Sequence, residues 1–399
     1  MILLIIRYSE IALKGKNRFW FENKLIGNIR LHLKNFNGIS VNKIHGRIIV
    51  KAEDDLELIK LTLMNIPGIA NFSVADSCTH DLEEIIKTSI IKINSSVKEN
   101  PSKELSFKVE AKRSEKAFPL NSMELSAKVG ESVLNEIEGL KVNLFDPDIK
   151  LGIEIWQKNR SVVFLEKIQG QGGLPVGVSG RVISFLSGGI DSPVASWFMM
   201  KRGCEIVYIS FFSYPFTGEQ SKEKVIDLVK HLSRYQPSSR LIIIPFTDIQ
   251  KAIKENCLEK NRTLLYRRLM NMIANSFIRE LKAKAFVTGE AVGQVASQTL
   301  ENLYITEESA RLPVIRPLVG MDKVDIINFA KKIGTYPISI QPFLDCCTVF
   351  QPKNPETRGN ISKVLKDESS FDFTELIEEA ISKAENHYFE SKLHEKFWE

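Results

Sequence analysis

Apolar residues follow two periodicities in the first half of the chain. A short apolar run at 2–8 predicts a strand, and residues 17–35 predict a helix because Phe21, Leu25 and Ile29 recur at helical spacing. The pattern predicts a small α+β unit and then a second series of elements. The other predicted strands cover residues 39–42, 46–51, 69–75, 105–111, 150–156 and 161–166, and the other predicted helices cover residues 82–94 and 122–138.

A glycine-rich segment at 170–180 interrupts this pattern. Helix and strand interiors tolerate glycine poorly, so we place the main domain boundary there. Beyond it, strands alternate with helices, which predicts a doubly wound parallel sheet. Predicted strands lie at 182–186, 205–212, 241–246, 285–288 and near residue 314, and predicted helices lie at 193–202, 219–235, within 249–281 and at 323–333. The acidic tail, residues 371–397, is predicted to be helical.

The chain is long enough to bury several cores, because it has 399 residues of which 43% are apolar. No apolar run reaches membrane-spanning length, and the apolar start is too short for a secretory signal, so we expect a cytoplasmic protein. The cysteines lack CxxC spacing, which argues against a disulfide framework or a structural zinc site. The five cysteines are Cys78, Cys204, Cys257, Cys346 and Cys347.

Positive charge is concentrated near the beginning of the chain. The net charge is +5, but the first 50 residues hold nine lysines and arginines against Glu10 and Glu22. Such an excess favours a polyanionic partner, because phosphate neutralisation releases condensed counterions. A basic face that serves only solubility is the alternative.

Residues 187–192, SGGIDS, directly follow one predicted strand and open a predicted helix. Gly188 and Gly189 would let the backbone approach a phosphate, and the N–H groups at a helix N-terminus form an anion site. The segment lacks the lysine of a GxxxxGK[ST] loop. Asp191 is unusual beside a phosphate, which suggests a residue that holds Mg²⁺. Capping of the helix by Asp191 is the alternative.

This segment resembles the SGGxDS signature of the PP-loop pyrophosphatases, which split ATP between its α and β phosphates to form an adenylate. Further motifs are similar to those of the tRNA 4-thiouridine synthetases. They are GGLPVG at 172–177, SGGIDSPV at 187–194, TGE at 288–290, GQVASQT at 293–299, RPL at 316–318 and DK at 322–323. In the first half, Arg7-Tyr8, Glu10 and Lys14-Gly15 resemble that family's ferredoxin-like domain, and residues 107–113 with Lys116 resemble its THUMP RNA-binding domain.

The resemblance implies a domain order. A ferredoxin-like N-terminal domain is expected at 1–58, a THUMP domain at 59–168, a linker at 169–180, and a PP-loop domain of the adenine nucleotide alpha hydrolase type with a helical tail at 181–399. It also implies an enzyme that uses ATP and Mg²⁺ to adenylate a tRNA uridine, which persulfide sulfur then converts to 4-thiouridine. The family's ATP contacts would fall on Phe185, Leu186, Ser187, Gly188, Gly189, Asp191, Ser192, Ser210, Phe211, Arg267, Gly289 and Gln298.

Two more groups would carry the chemistry. Lys323 is unfavourable at the start of a helix, where the dipole repels cations, and the resemblance makes it a catalytic cation that stabilises phosphate charge. Asp345-Cys346-Cys347 lies in a loop between prolines, and a cysteine persulfide is a suitable sulfur carrier. The family's catalytic cysteine corresponds best to Cys347, with Cys346 as a possible resolving thiol. The alternative for the adjacent cysteines is buried packing. The alternative for Lys323 is a solvated surface lysine.

The expected partners follow from the same resemblance. Some family members continue into a rhodanese-like domain; this chain ends at Glu399 without one, so a separate cysteine desulfurase is the expected sulfur donor, and a role in thiamine synthesis is left open. A homodimer is expected from the family. The tRNA would be held through phosphates by Lys14, Lys16, Arg18, Lys112, Arg113 and Lys116. Two other functions compete: another AMP-forming PP-loop tRNA ligase, and an RNA-binding THUMP protein without catalysis.

Overall fold

The structure, a computed structural model, describes residues 2–44, 46–98 and 104–391, and for Cys347 it describes the backbone alone. Contacts between α-carbons divide the chain into two units. The first contains Met1–Arg18, Leu33–Met64 and Ile69–Gly172, and the second contains Phe19–His32, Asn65–Gly68 and Gly173–Glu399. None of the helices in the described ranges has both the length and the apolar character to cross a membrane.

The described strands and helices are numbered here in chain order. The strands are β1 (Ile2–Arg7), β2 (Ser40–Ile44), β3 (Arg47–Ala52), β4 (Asn71–Cys78), β5 (Leu105–Arg113), β6 (Leu140–Val142), β7 (Ile149–Trp156), β8 (Arg160–Phe164), β9 (Ile168–Gln169), β10 (Arg181–Phe185), β11 (Glu205–Phe212), β12 (Ser238–Pro245), β13 (Ala283–Val287), β14 (Val314–Ile315) and β15 (Glu385–Glu390). The helices are α1 (Arg18–His32), α2 (Leu56–Met64), α3 (Leu82–Lys98), α4 (Ser122–Glu136), α5 (Asp191–Lys201), α6 (Glu219–Leu232), α7 (Thr247–Asn256), α8 (Arg262–Leu281), α9 (Leu300–Glu308), α10 (Lys323–Lys332), α11 (Tyr336–Ser339), α12 (Ile361–Glu368) and α13 (Thr374–Ser382).

The first unit is built on one sheet with the order β2-β3-β1-β4-β8-β7-β5-β6, and β9 pairs with β4. Its strands are buried on the face that meets the helices; Leu105, Phe107, Leu151 and Ile153 pack there against α3 and α4. Helix α4 begins with a capping box, in which Asn121 accepts backbone N–H groups and Glu124 accepts the Asn121 N–H. The α+β prediction for this half is therefore confirmed at the level of fold class.

The second unit has a sheet with the order β14-β13-β10-β11-β12-β15. Neighbours from β14 to β12 run parallel, and β15 is antiparallel to β12. Adjacent residues of β10 face opposite cores: Val182 packs with α5, α6 and α10, whereas Ile183 packs with α7 and α8. Helices on both faces explain the apolar strands, and the predicted doubly wound sheet is confirmed.

Several elements differ from the sequence-based prediction, which also lacked β6, β9, α11 and α12. Helices α2 and α9 were not predicted, because their apolar residues do not form a clear helical stripe beside the turn residues that flank them. The tail was predicted to be helical, but only α13 is a helix, and the chain then forms the edge strand β15. Pairing with β12 along Ser238–Ile243 decides this conformation, which local sequence does not reveal. The rest of the predicted tail helix, residues 392–397, lies outside the described residues.

Helix α1 packs within the second unit for nearly its whole length. The Asn28 side-chain amide donates to the Val176 carbonyl oxygen at 3.1 Å. His32, at the end of the helix, is buried and donates from Nδ1 to the Asn28 carbonyl oxygen at 2.8 Å. The second unit thus includes a helix that is separated from its other elements in sequence.

Candidate active site

The loop between β10 and α5 forms one wall of the site. The Ser187 N–H donates to the Ser192 hydroxyl at 2.9 Å, which closes the loop on itself. The Gly189 carbonyl oxygen accepts a hydrogen bond from the Ser339 hydroxyl at 3.1 Å. Gly289, in the loop after β13, lies so close that a β-carbon there would be 2.7 Å from the Ser192 nitrogen. A side chain at this position would collide with the start of α5.

A cavity of about 260 Å³ opens beside this loop, entirely within the second unit. Its lining includes seven of the residues that the resemblance assigned to ATP: Phe185, Ser187, Asp191, Ser192, Arg267, Gly289 and Gln298. Residues at the carboxyl ends of β10 and β13 therefore meet the side of α8, as expected for a ligand site in a parallel sheet. Met270, Asn271 and Thr306 also line the cavity and were not predicted. So do Thr288, Glu290 and Arg316, which lie in the TGE and RPL motifs but had been given no role in the site.

Asp191 is the first residue of α5, yet its carboxylate does not cap that helix. It accepts hydrogen bonds from the Lys323 ammonium at 2.5 Å and from the Gln294 side-chain amide at 2.9 Å. The capping alternative for Asp191 is therefore wrong. Lys323 is the first residue of α10, and its side chain is 43% exposed, so it lies at the mouth of the site while paired.

Glu290 joins two cationic side chains on the opposite wall. Its carboxylate accepts hydrogen bonds from Arg267, from Arg316 at 2.8 Å and from the Thr288 hydroxyl at 2.9 Å. The Glu290 side chain is only 8% exposed, so the two guanidinium groups are held by a buried carboxylate. Arg316 also pairs with Glu307 at 2.5 Å. The TGE motif contained this residue, but its contacts arise only when β13, β14 and α8 meet.

A second, smaller cavity lies next to the first. Gly188, Ser210 and Phe211 line it, together with Lys224 and Cys346. The ATP contacts expected from the resemblance are thus divided between the two cavities. Of the remaining two, Leu186 is buried in the apolar core, so only its backbone can face a ligand, and Gly189 lies in the phosphate loop.

Lys224 projects from α6 into the smaller cavity and is 5% exposed as a residue. Its ammonium lies 3.5 Å from the position that a β-carbon on Gly188 would occupy, and it donates to the Gln341 carbonyl oxygen at 2.9 Å. Burial lowers the pKa of Lys224, and the nearby Asp345 carboxylate partly offsets this. Lys224 was not among the predicted site residues, because its position in the sequence of α6 does not distinguish it from the surface lysines of that helix.

The segment Cys346–Thr348 forms a 3₁₀ turn that follows Asp345. Asp345 accepts a hydrogen bond from the Cys346 N–H at 3.1 Å and lines both cavities. Cys346 is 5% exposed, and its backbone carbonyl accepts a hydrogen bond from Gln250 at 2.9 Å. The backbone of Cys347 lies in the same turn, and its side chain is outside the described residues.

The other three cysteines lie away from both cavities. Cys78 and Cys204 are buried, and Cys257 lies near Asp367 and Ser370. Burial raises the pKa of all three thiols, for Cys78 to about 11. Such thiols are poor nucleophiles at neutral pH, which agrees with a structural role.

The candidate RNA-binding residues lie in the first unit. Lys16, Lys112 and Lys116 are exposed. Arg113 instead donates to the Phe118 and Leu120 carbonyl oxygens at 2.9 and 3.1 Å, so its guanidinium supports a turn. Arg18 donates to the Tyr8 hydroxyl at 2.7 Å. The first unit also has a basic cleft of about 750 Å³ that was not predicted from the sequence. Its lining includes Lys43, Lys51, Lys158 and Arg160.

Comparison with known proteins agrees with this arrangement. The family described as "Thiamine biosynthesis protein (ThiI)" matches residues 177–373, the "ThiI ferredoxin-like domain" matches 3–73, and the "THUMP domain" matches 80–164. A probable tRNA sulfurtransferase of Caldanaerobacter subterraneus is 46% identical over 376 residues, which is 94% of this chain and 97% of that protein. The chain belongs to the ThiI family. Another ThiI-family relative, a probable tRNA sulfurtransferase of Geobacillus kaustophilus, is 44% identical and covers 96% of the chain and 94% of its own length.

Two solved structures extend the comparison with the ThiI family. A 4-thiouridine synthetase in complex with RNA and with bound ATP has a TM-score of 0.90 and 40% identity, over 98% of this chain and 100% of that one. The protein PH1313 from Pyrococcus horikoshii has a TM-score of 0.67 and 31% identity, over 84% of this chain and 100% of that one. The predicted resemblance and the predicted fold class are confirmed.

Proposed function

We propose that this ThiI-family protein is an ATP-dependent tRNA uracil 4-sulfurtransferase that forms AMP and pyrophosphate. The observation that carries the proposal is the position of the SGGIDS loop. It lines one cavity through residues that include Asp191, the partner of Lys323, and lines the adjacent cavity together with Cys346. The proposed adenylation site and a cysteine therefore share one loop. The relatives named as tRNA sulfurtransferases and as a 4-thiouridine synthetase support the same reaction.

The first step would be adenylation of the uridine. O4 of the base attacks the α-phosphorus of ATP, the bond to the bridging oxygen breaks, and pyrophosphate leaves. The N–H groups of Gly188 and Gly189 and the Lys323 ammonium would stabilise the growing negative charge. Phe185 and Phe211 stack at 6.3 Å between ring centres and offer an aromatic surface at the strand ends. Arg267 and Gln298 would complete the nucleotide contacts assigned by the resemblance.

Mg²⁺ fits this site only as an ion shared with phosphates. The described residues contain no cluster of three or more acidic, histidine or cysteine side chains suited to hold a metal alone. Asp191 offers carboxylate oxygens beside the anion site, and Mg²⁺ is commonly held by one or two carboxylates plus substrate phosphates. The ion would neutralise charge on the departing pyrophosphate. The Lys323 and Gln294 contacts hold the Asp191 carboxylate in place for this role.

The second step would deliver sulfur. Cys347 carries the persulfide, and the Cys346 thiolate attacks the Cys347 sulfur, so that a Cys346–Cys347 disulfide forms and hydrosulfide leaves. Hydrosulfide then attacks C4, AMP departs with the former O4, and the base becomes 4-thiouridine. An external thiol must reduce the disulfide before the next turnover. Among the cysteines whose side chains the structure describes, Cys346 lines the cavity beside the phosphate loop. The reverse assignment of carrier and resolving cysteine is therefore the second candidate.

The partners belong to the same proposal. The tRNA would be gripped by exposed lysines such as Lys16, Lys112 and Lys116 in the first unit. A cysteine desulfurase would load the persulfide, and we expect the protein to act as a homodimer in the cytoplasm. A role in thiamine synthesis would require transfer of the same sulfur to another acceptor.

The deciding experiment is tRNA thiolation in vitro with ATP, Mg²⁺, dithiothreitol and a cysteine desulfurase. 4-Thiouridine is read by near-ultraviolet absorbance and nucleoside mass, and pyrophosphate by a coupled assay. We expect Cys347→Ser to abolish thiolation and keep pyrophosphate release, with Cys257→Ser as the matched control. Full activity of Cys347→Ser with loss in Cys346→Ser would exchange the two roles.

Two results would replace the proposal. AMP formation with a sulfur-free product would indicate another PP-loop tRNA ligase. Binding of tRNA without any ATP turnover would indicate an RNA-binding protein without catalysis.

A further inference from the structure

Asp345 joins the cysteine turn to the phosphate loop. Its carboxylate accepts a hydrogen bond from the Cys346 N–H, and Asp345 lines one cavity with Ser187 and the other with Gly188. The Lys224 ammonium lies beside both Asp345 and Gly188. One carboxylate thus lies beside donors from two segments that are far apart in sequence.

These donors are the ones that a phosphate would use. The Ser187 hydroxyl and the Gly188 N–H belong to the SGGIDS loop, whose N–H groups and helix N-terminus form the anion site. A carboxylate and a phosphate oxygen cannot accept the same N–H at full strength, and two like charges this close repel each other strongly in a partly buried site. Asp345 and the pyrophosphate part of ATP are therefore competitors.

We propose that Asp345 is a positioning residue that holds the cysteine turn closed on the phosphate loop until the phosphates of ATP displace it. Displacement frees the turn, so the thiol beside it becomes reactive only when nucleotide is bound. Lys224 remains at the loop and can pair with the incoming phosphate in place of Asp345. Premature loss of persulfide sulfur to water or to stray thiols is thereby reduced.

The surroundings of Asp345 favour its displacement. Burial raises the pKa of Asp345, and the hydrogen bond from the Cys346 N–H and the nearby Lys224 ammonium offset this only in part. The carboxylate is therefore held in an environment that does not favour its charge. Cys346 is 5% exposed in the closed arrangement, so opening should change its accessibility greatly.

The inference rests on the proposed ATP site and makes a prediction of its own. If Asp345 competes with nucleotide, its removal must tighten nucleotide binding, because coupling between two binding events is reciprocal. Removing a charged competitor that costs about 1.4 kcal/mol of binding free energy lowers the Kd for the nucleotide roughly tenfold. A residue with a merely structural role would weaken binding or leave it unchanged.

The test uses the full chain with Mg²⁺ and α,β-methylene-ATP, an analogue that cannot release pyrophosphate. Its Kd is measured by calorimetry for the unaltered protein, for Asp345→Asn and for Asp345→Ala. Asp227→Asn on α6 is the matched control, because Asp227 pairs with Lys230 and lines neither cavity. We expect roughly tenfold tighter binding in both Asp345 variants and no change in the control.

Alkylation of Cys346 by N-ethylmaleimide, followed by mass spectrometry, gives an independent measurement. In the unaltered protein the analogue should accelerate alkylation of Cys346 but not of Cys204. In the Asp345 variants alkylation should be fast with or without the analogue. Weaker or unchanged nucleotide binding in Asp345→Asn, or alkylation that ignores the analogue in the unaltered protein, would overturn the inference.

The two proposals fail in different ways. If the unaltered protein does not bind the analogue at all, the proposed ATP site is wrong. If it binds the analogue and the Asp345 variants bind no more tightly, only the displacement of Asp345 is wrong.

Discussion

At the scale of single residues, Asp191 and Lys323 are the most informative pair. They are 132 positions apart in sequence and meet at 2.5 Å at the starts of two helices. The pair is partly exposed, at 22% for Asp191 and 43% for Lys323, so it contributes little to the free energy of unfolding. Its value is that it keeps a cation and a carboxylate beside the phosphate loop.

We expect Asp191→Asn and Lys323→Met each to lower both pyrophosphate release and thiolation by about 10²- to 10³-fold, the usual effect of removing one transition-state contact. The melting temperature should change little. Lys331→Met, at the other end of α10, is the control. Loss of thiolation with normal pyrophosphate release in Lys323→Met would remove Lys323 from the adenylation step.

Sequence patterns could identify these two residues but not their neighbours. The SGGIDS and DK motifs pointed to Asp191 and Lys323 directly. Lys224 lies within an ordinary-looking segment, and the TGE motif contained Glu290 without indicating its role. The contacts of Glu290 with Arg316 and of Lys224 with Gly188 form only when the sheet folds. Burial of a charged side chain is the physical signal here, and composition does not contain it.

At the scale of elements, most of the alternation of strands and helices from β10 to α10 was predicted, because the strands are apolar on both faces. Helix α9, whose apolar residues form no clear stripe, was missed. The predicted helix at 219–235 ends instead at Leu232 and continues as a 3₁₀ turn. Strand β15 was not predicted, since its exposed and polar side chains show no apolar period and its pairing partner supplies the order.

The end of α1 provides a pH-dependent test of how firmly this helix belongs to the second unit. Burial lowers the pKa of His32 to about 4. Below its ordinary value near 6.5 the unfolded chain binds a proton that the folded protein excludes, so stability falls as the pH decreases from about 6.5 towards 4. The free energy of unfolding should be about 2 kcal/mol lower at pH 5 than at pH 7 through this residue.

Urea unfolding at pH 7 and pH 5 measures this difference, and His32→Gln is compared with the unaltered protein. The variant should show a pH dependence that is smaller by about 2 kcal/mol. His387→Gln, on the partly exposed strand β15, serves as the control and should keep the original dependence. An unchanged pH dependence in His32→Gln would show that His32 ionises freely in the folded protein.

At the scale of the whole molecule, the two cavities and the candidate RNA-binding residues lie in different units. Both cavities lie in the second unit, whereas the candidate RNA-binding lysines and the THUMP match lie in the first. Charge counting along the sequence predicted a polyanion partner, and one ThiI-family neighbour of known structure was solved in complex with RNA. Charge counting could not show which cationic side chains can reach RNA, because the Arg113 guanidinium donates hydrogen bonds to carbonyl oxygens of its own turn.

Salt dependence of tRNA binding separates the available cations from the internal ones. Each phosphate contact contributes about 0.7 to 0.9 to the slope of log K against log salt, so Lys112→Ala with Lys116→Ala should lower that slope by about 1.4 to 1.8. Lys141→Ala, an exposed lysine of the same unit that pairs with Glu104, should leave it unchanged. Arg113→Ala should lower the melting temperature rather than the slope. The slope is measured by filter binding between 50 and 200 mM salt, and an equal slope in the double variant would move the RNA surface to the cleft of Lys43, Lys51, Lys158 and Arg160.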